Sequence, residues 1–195
     1  MIELLEIEHA LDGAVFDRIR HEMRTVGGAP ATVLGAAPDQ RATSSARRAT
    51  QIAISDATRA ELERLLELHR PRIGAHFGRH LDGFEEPQFL RYGPGDYFVA
   101  HQDGNTPLVH DESRFRKVSV VIFLSEQSEE PAPGTFGGGS LVLHGPYFEP
   151  AQQMPLAPAP GTLVAFPSET THEVAPITHG ERLSIVSWYR SEAGG

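Results

Sequence analysis

After Gly83 the chain becomes a series of short β-type runs separated by glycine and proline. These runs predict strands at about residues 87–92, 97–102, 116–124, 140–144, 162–166, 171–175 and 182–190. Strands at this density, with turn residues between them, are typical of a β-sandwich or a β-barrel. The second half of the sequence therefore predicts an all-β core.

The first 83 residues instead carry two helical patterns and short strands at 2–8, 31–34 and 51–54. The first helix is predicted to start at Asp12 and to stop at Gly27 and Gly28. Its apolar residues at helical spacing are Val15, Phe16, Ile19 and Met23. The second is capped by Ser55 or Asp56, is kinked or divided at Pro71, and extends to about Arg79. Its apolar residues are Leu62, Leu65, Leu66 and Leu68.

Helices that precede a run of strands favour a mainly β protein with flanking helices, in which the N-terminal helices pack on one face of an antiparallel core. A length of 195 residues fits one domain, with 1–83 as a helical N-terminal elaboration and 84–191 as the β core. The net charge of −9 argues against a nucleic-acid partner. The chain has no cysteine, no basic leader and no apolar run of membrane-spanning length, so we expect a cytoplasmic protein without a membrane partner.

Two His-x-Asp motifs occur, and their predicted local structures differ. His101 and Asp103 end a predicted strand, where residues i and i+2 point to the same side and can chelate one metal. His80 and Asp82 lie at the end of a predicted helix, where i and i+2 do not face each other. His76 and His80 have the spacing of helical zinc ligands, but the glutamate of a metalloprotease motif is absent. The first motif is therefore the candidate metal site.

His172 would complete this site, although taken alone it could be an ordinary buried strand histidine. Two imidazoles and one carboxylate on one face of an iron form the triad of non-haem Fe(II) oxygenases. Arg182 follows ten residues later and opens an apolar strand, where an unpaired buried charge would be costly. Its guanidinium could bind a carboxylate ligand, with the Ser184 hydroxyl beside it, or could form a structural salt bridge. Strand alternation places four residues on one face, Arg182, Ser184, Val186 and Trp188.

These residues resemble the prolyl 4-hydroxylase-like branch of the 2-oxoglutarate and Fe(II)-dependent dioxygenases. The resemblance covers roughly residues 84–191 and rests on four ordered segments: QFLRYGPGDYFVAHQD, RKVSVVIFLSE, FGGGSLVLHG and PAPGTLVAFPSETTHEVAPITHGERLSIVSWYR. It implies a double-stranded β-helix, a jelly-roll and cupin-like core, in agreement with the predicted strands. It also implies that Gly137 to Gly139 form a turn that enters a core strand.

The resemblance further implies that His101, Asp103 and His172 hold Fe(II) and that Arg182 binds the distal carboxylate of 2-oxoglutarate. Ascorbate is a further cofactor that the resemblance permits. It implies that Tyr92 reaches the co-substrate, although an ordinary strand tyrosine is the alternative.

Two aromatic residues complete the comparison with the family. Phe123 stands where some relatives have a co-substrate-binding tyrosine, so the chain departs from that pattern. Trp188 matches an aromatic residue at the pocket wall, or belongs to the core.

The implied function is hydroxylation of an unactivated C–H bond, with release of succinate and CO2. The substrate expected by analogy is a prolyl or other amino-acid residue in a protein or peptide. The alternatives are a hydroxylase of a free amino acid or small metabolite, a non-enzymatic cupin-like metal-binding protein and a zinc hydrolase. Residues 104–115 are predicted to form a lid, and together with 29–48 to shape substrate choice. The arginines from Arg41 to Arg48 would suit an acidic substrate, but a solvated surface strip is the favoured interpretation.

Overall fold

The structure is a computed structural model that describes residues 2–31, 46–104, 111–145 and 152–192. The helices are α1 (Gly13–Thr25), α2 (Asp56–Phe77) and a 3-10 helix (Glu112–Phe115). The strands in the described residues are β1 (Leu5–Ile7), β2 (Gly28–Pro30), β3 (Arg47–Arg48), β4 (Thr50–Ile52), β5 (Gly83–Phe84), β6 (Gln88–Tyr92), β7 (Tyr97–His101), β8 (Arg116–Phe123), β9 (Glu126–Gln127), β10 (Thr135–Gly138), β11 (Leu141–His144), β12 (Gln153–Leu156), β13 (Leu163–Pro167), β14 (His172–Val174), β15 (Ile177–Gly180) and β16 (Arg182–Arg190).

Most of these strands belong to two sheets. The eight-stranded sheet has the order β1-β13-β8-β16-β6-β4-β2, with β5 added to β16. The five-stranded sheet has the order β12-β11-β14-β7-β3, and β15, β10 and β9 form a small third sheet. Among the described pairs, only β9 and β10 run parallel. The prediction of a mainly β, antiparallel protein with two helices is confirmed.

Both helices pack on the outer face of the eight-stranded sheet. Ile19 and Met23 of α1 and Leu62, Leu66 and Ile73 of α2 are buried in one cluster with apolar side chains of β8 and β16. Full burial of each such side chain contributes about 1.5–3 kcal/mol. The predicted placement of the helices on one face of the core is therefore confirmed, and it leaves the other face of β16 for a cavity.

For the predicted second helix, the alternative of division at Pro71 is wrong, and so is the grouping of Leu68 with the buried leucines. Pro71 does not divide α2, which runs from Asp56 to Phe77 because Leu66 and Ile73 anchor it in the core on both sides of the proline. Leu68 is 74% exposed, because it lies off the buried helix face. The predicted N-cap holds, since the Ser55 side chain accepts a hydrogen bond from the Thr58 backbone N–H. Neither α-helix has the length and apolar content needed to cross a membrane.

All seven strands predicted after Gly83 are present, each within about two residues of the expected bounds. Five further strands in this half were not predicted because they are short or rich in glycine and proline: β5, β9, β10, β12 and β15. Gly137 and Gly138 lie within β10 rather than in a turn, and Gly138 and Gly139 adopt positive φ angles of 64° and 61° at a bulge. The strand predicted at 31–34 lies outside the described residues except for Ala31, which is not in a strand.

Candidate active site

Three side chains of the kinds that bind metal ions lie together where β7 ends and β14 begins, and we call them the metal-type cluster. His101 and His172 are directly opposed on these two antiparallel strands, and Asp103 follows β7 by two residues. One donor atom from each residue lies within 4.8 Å of the other two. The His101 and His172 Nε2 atoms are each 3.4 Å from an Asp103 carboxylate oxygen. Strand pairing thus brings together residues that are 71 positions apart at the most.

Backbone carbonyls fix the orientation of both imidazole rings. His101 Nδ1 donates to the Val99 carbonyl oxygen at 2.8 Å, and His172 Nδ1 donates to the Thr170 carbonyl oxygen at 2.9 Å. Each Nε2 therefore presents a lone pair to Asp103, whose carboxylate oxygens also only accept. Three electron-pair donors face one another, an arrangement that a bound cation satisfies. The same use of Nδ1 is general among metal-binding histidines.

Asp103 is held from the side opposite the histidines. Its backbone N–H donates to the Ser168 carbonyl oxygen at 2.9 Å, and the Ser119 hydroxyl donates to its Oδ2 at 2.6 Å. Burial alone would raise the Asp103 pKa, but attraction to His172 and His101 in their protonated forms, together with the hydrogen bond from the Ser119 hydroxyl, outweighs burial and holds the pKa far below its usual range. Burial also lowers the pKa of His172. The cluster therefore offers an ionised carboxylate and a neutral imidazole, the protonation states that metal ligands require.

Arg182 enters the same cavity from the start of β16 and is only 2% exposed. Its Nη1 donates to the Ser184 hydroxyl at 2.9 Å, while its Nε has no hydrogen-bond partner. None of the carboxylates in the described ranges lies within ion-pair distance of Arg182, so the alternative of a structural salt bridge is not supported there. Burial lowers the pKa of Arg182, but a guanidinium stays protonated at neutral pH. A buried cation with an unused donor is what a carboxylate ligand requires.

Two aromatic rings flank the Arg182 guanidinium. Its Cζ lies 5.4 Å from the centroid of the Tyr92 ring and 5.1 Å from that of the Phe123 ring. Tyr92 is opposed to Arg182 on β6, and Phe123 is opposed to Ser184 on β8. Tyr92 thus lies beside the arginine, and its expected contact with the co-substrate stays a prediction. Phe123 has no hydroxyl to offer at its position beside the guanidinium.

One cavity joins the metal-type cluster to the arginine. Its lining includes all six residues expected to bind metal or co-substrate: His101, Asp103, His172, Arg182, Tyr92 and Ser184. Val186 and Trp188 line it too, whereas Leu183, Ile185 and Tyr189 pack in the core on the opposite face of β16. The predicted alternation along this strand is therefore confirmed, and Trp188 lies at the cavity wall. The second His-x-Asp motif is not part of the metal-type cluster, and His80 lies beyond the end of α2.

Sequence analysis missed three residues of this site. The Ser119 hydroxyl is hydrogen-bonded to Asp103 and to the Ser168 hydroxyl. In the sequence each serine looks like an ordinary strand or turn residue, because these contacts form only when the fold brings β8 and the segment before β14 together. Arg47 lines the cavity and is 8% exposed, so the predicted solvated strip is wrong for this residue, while Arg48 is exposed as expected. Consecutive residues of a strand face opposite sides, so a strand at Arg47 and Arg48 would have predicted that one of them is buried. No strand was predicted at these positions. Half of the predicted lid, residues 105–110, lies outside the described residues, and the described part includes the 3-10 helix Glu112–Phe115.

Comparison with known proteins agrees with this geometry. Residues 87–190 match the family model described as the 2OG-Fe(II) oxygenase superfamily. A PKHD-type hydroxylase of Shewanella sp. (strain MR-7) is 35% identical over 108 residues, which cover 55% of this chain and 44% of the relative. A PKHD-type hydroxylase of Gluconacetobacter diazotrophicus is 36% identical over 107 residues, covering 54% and 43%. The chain thus spans less than half the length of these curated relatives.

Solved structures show the same fold at low sequence identity. A Pseudomonas putida prolyl-4-hydroxylase superposes with a TM-score of 0.70 at 22% identity, covering 99% of this chain and 95% of that one. A prolyl hydroxylase from Trichoplax adhaerens, in complex with a hypoxia inducible factor peptide fragment, gives 0.74 at 17% identity, covering 97% and 84%. These likenesses confirm the predicted jelly-roll core.

Proposed function

Since this chain belongs to the 2OG-Fe(II) oxygenase superfamily, we propose that it is a 2-oxoglutarate-dependent dioxygenase whose cavity holds Fe(II) and 2-oxoglutarate together. The observation that carries the proposal is the single cavity in which three metal donors face a buried arginine that lacks a carboxylate partner in the described residues. A protein that only binds metal would not need a buried arginine in the same cavity.

In this proposal His101, Asp103 and His172 hold the iron. Bound Fe(II) would supply the chemistry by which dioxygen oxidises both partners, with one oxygen atom going to succinate as 2-oxoglutarate loses CO2 and the other entering a C–H bond of the substrate as a hydroxyl group. The two histidines present Nε2 because their Nδ1 atoms are held by Val99 and Thr170 carbonyls. Asp103 provides the single negative charge and is kept in place by Ser119. The chain contributes a fixed donor set that does not have to reorganise when the metal binds.

Arg182 binds the distal carboxylate of 2-oxoglutarate. The guanidinium can donate from Nε and an Nη atom in bidentate fashion, and Ser184 and Tyr92 can add hydroxyl contacts from the same wall. Because Arg182 is buried, this ion pair is shielded from water and from screening by salt. Apolar side chains, including Leu90, Val121 and Val186, line the cavity around the polar groups and exclude water.

The substrate proposed by analogy is a prolyl or other amino-acid residue in a protein or peptide. Support comes from the Trichoplax adhaerens neighbour, which is a prolyl hydroxylase in complex with a peptide. A free amino acid or small metabolite is the alternative, and ascorbate would serve as an auxiliary reductant.

The test is anaerobic titration of metal-free protein with Fe(II) and 2-oxoglutarate, monitored by the visible iron-to-ketoacid charge-transfer band. We expect the band in the wild type, its loss in Asp103→Ala and a higher 2-oxoglutarate requirement in Arg182→Gln. Asp82→Ala is the matched control, because it removes the carboxylate of the other His-x-Asp motif and should leave the band unchanged. Folded, metal-bound wild type without a band would contradict the proposal and favour a cupin-like binder or a zinc hydrolase.

A further inference from the structure

The turn between β13 and β14, residues 168–171, joins two of the three residues of the metal-type cluster. The Ser168 carbonyl oxygen accepts a hydrogen bond from the Asp103 backbone N–H at 2.9 Å. Two residues further along, the Thr170 carbonyl oxygen accepts a hydrogen bond from His172 Nδ1 at 2.9 Å. We call this segment the metal-site turn. Because its backbone contacts both residues, its position sets where the Asp103 carboxylate lies relative to the His172 ring.

Glu169, the residue between these two contacts, is held through both its backbone and its side chain. Its carbonyl oxygen accepts a hydrogen bond at 2.7 Å from the side chain of Gln102, the middle residue of the first His-x-Asp motif. Its carboxylate accepts hydrogen bonds from both Nη atoms of Arg79, with a distance of 3.1 Å between Nη1 and Oε2. Arg79 Nη1 also donates to the Lys117 carbonyl oxygen, which accepts from the Ser168 backbone N–H as well. The Arg79 guanidinium thus connects the metal-site turn to β8.

Arg79 belongs to the N-terminal part of the chain, and the end of α2 fixes its backbone. Gly78 caps the helix with a positive φ of 60°, a conformation that favours glycine. The Arg79 backbone N–H then donates to the Gly74 carbonyl oxygen at 2.9 Å. Arg79 lies outside residues 87–190, the segment that matches the family model. The contact therefore connects the metal-type cluster to a helix that the family match does not cover.

The ion pair between Arg79 and Glu169 is better suited to orient the turn than to stabilise the fold. The two side chains are 22% and 36% exposed, and ion pairs at such positions contribute little to the free energy of unfolding. The geometry of the contact is specific, however, because a planar guanidinium that binds a carboxylate through two nitrogens fixes its direction as well as its position. Loss of the contact should therefore change the placement of the metal-site turn more than the stability of the protein.

We propose that Arg79 is a positioning residue for the metal site. It holds the metal-site turn through Glu169, so that Asp103 and His172 keep the spacing that one metal ion requires. This inference rests on the proposed function, because it assumes that the metal-type cluster binds Fe(II). It extends the metal site to the N-terminal elaboration, residues 1–83, whose helices pack on the outer face of the eight-stranded sheet.

Titration of metal-free protein with Mn(II) tests the inference, since it measures metal affinity without turnover. Loss of a group that orients a metal ligand directly lowers metal affinity by about 10–100-fold. Arg79 acts through the metal-site turn, which keeps its other hydrogen bonds, so Arg79→Gln should raise the Mn(II) Kd by about three- to tenfold. Arg79→Lys should recover part of this loss, because an ammonium group can still pair with the Glu169 carboxylate. Each titration is made well below the melting temperature of the variant, so that folded protein is measured.

Arg70→Gln is the matched control. Arg70 lies on α2, pairs with the Glu67 carboxylate and donates to the Leu81 carbonyl oxygen, but none of these contacts reaches the metal-site turn. Its side chain is 30% exposed, close to the 22% of Arg79. The two variants should therefore lose similar stability in thermal melting, while Arg70→Gln keeps the Mn(II) Kd of the wild type within about twofold.

Glu169→Gln distinguishes positioning from a direct effect of charge. If charge alone mattered, loss of the Arg79 cation would strengthen the binding of a metal cation, whereas loss of the Glu169 carboxylate would weaken it. Positioning through the ion pair predicts instead that both single variants bind Mn(II) more weakly. The double variant should then bind no more weakly than the weaker single variant, because either change breaks the same contact.

The other outcomes overturn the inference. These are tighter Mn(II) binding in Arg79→Gln, or a loss of less than about threefold. An equal loss in Arg70→Gln would attribute the effect to α2 in general, and additive losses in the double variant would mean that the two residues act independently. In each case the proposed function still stands, because the wild type binds the metal. Failure of the folded wild type to bind Mn(II) would instead count against the proposed function itself.

Discussion

The two sheets that meet at the cavity contribute to it in different ways. The five-stranded sheet supplies His101 and His172 from short strands, and in β7 the neighbouring Val99 and Ala100 are exposed. The eight-stranded sheet supplies Arg182 from β16, where none of the nine residues is exposed and one face packs under the helices. The proposed metal site is thus separated from the main core, whereas the proposed co-substrate site is built on it. Substitutions in the two sheets should therefore differ in their effect on stability.

Asp103→Ala should have the largest effect, because it removes the only carboxylate of the metal-type cluster. We expect turnover to fall by more than about 1,000-fold, as succinate release would show, with loss of Fe(II) binding. Thermal stability should fall at neutral pH, because the folded surroundings hold the Asp103 pKa below its usual range and therefore stabilise the carboxylate that the change removes. Asp82→Ala, the control, should keep full activity. Retention of metal affinity in Asp103→Ala would break the assignment of the five-stranded sheet to metal binding.

Arg182→Gln should be next, through loss of co-substrate affinity. Removal of one partner of a buried charge pair costs about 2–5 kcal/mol, so the 2-oxoglutarate Kd should rise by about 100-fold while Fe(II) affinity stays nearly constant. Without ligand, burial lowers the pKa of Arg182, which means that the charged group is held at a cost in folding free energy. The ligand-free variant should therefore melt no lower than the wild type. A lower melting temperature together with unchanged 2-oxoglutarate affinity would make Arg182 a structural residue.

Ile185→Ala tests the opposite face of the same strand. Ile185 is 1% exposed in the core cluster, and truncation of such a side chain costs about 2–5 kcal/mol of unfolding free energy. Chemical denaturation would measure this loss. The folded fraction should bind 2-oxoglutarate normally. Val186→Ala, the neighbour on the cavity side, is the comparison, and it should lose less stability because Val186 is only partly buried.

Ser119→Ala tests the comparison between the two sheets at a residue that links them. Ser119 lies on β8 of the eight-stranded sheet, but its hydroxyl donates a hydrogen bond to Asp103. Loss of a group that orients a metal ligand lowers metal affinity by about 10–100-fold. Titration with Mn(II) or Fe(II) would measure the change, and Ser119→Thr, which retains the hydroxyl, should restore most of it. Equal losses in the alanine and threonine variants would point to packing rather than to the hydrogen bond.

Phe123→Tyr should have the smallest effect. The Phe123 ring lies 5.1 Å from the Arg182 Cζ, so a tyrosine hydroxyl could add a hydrogen bond to the co-substrate. One such bond is worth about 0.5–1.5 kcal/mol, which predicts a 2-oxoglutarate Kd lower by a few-fold. Titration of the charge-transfer band would detect the change. A weaker affinity would mean that this cavity needs the smaller ring.

Local patterns were sufficient to predict a large part of this molecule. The alternation in RLSIVSWYR assigned Arg182 to the cavity face, and the strand ending in His101 distinguished the first His-x-Asp motif from the second. The predictions failed where contacts between distant parts of the chain override the local preference of the sequence for helix, strand or turn. Core contacts on both sides of Pro71 keep α2 continuous, and pairing with β15 makes β10 a strand despite its glycines.

The buried position of Arg47 depends on pairing with β7, about 50 residues later in the chain, which no local pattern reveals. The contact between Ser119 and Asp103 likewise requires strands from different sheets to come together. Both residues became visible as parts of the site only through the tertiary structure.

The opposed positions of His101 and His172 on neighbouring strands also limit how the chain can change during evolution. Side chains alternate along a strand, so deletion of a single residue within β7 would turn His101 away from the cavity. Loss of two residues would keep it facing inward, displaced along the strand. Related chains should therefore vary freely in the loops between these strands, while the spacing from Phe98 to Asp103 changes in steps of two or not at all.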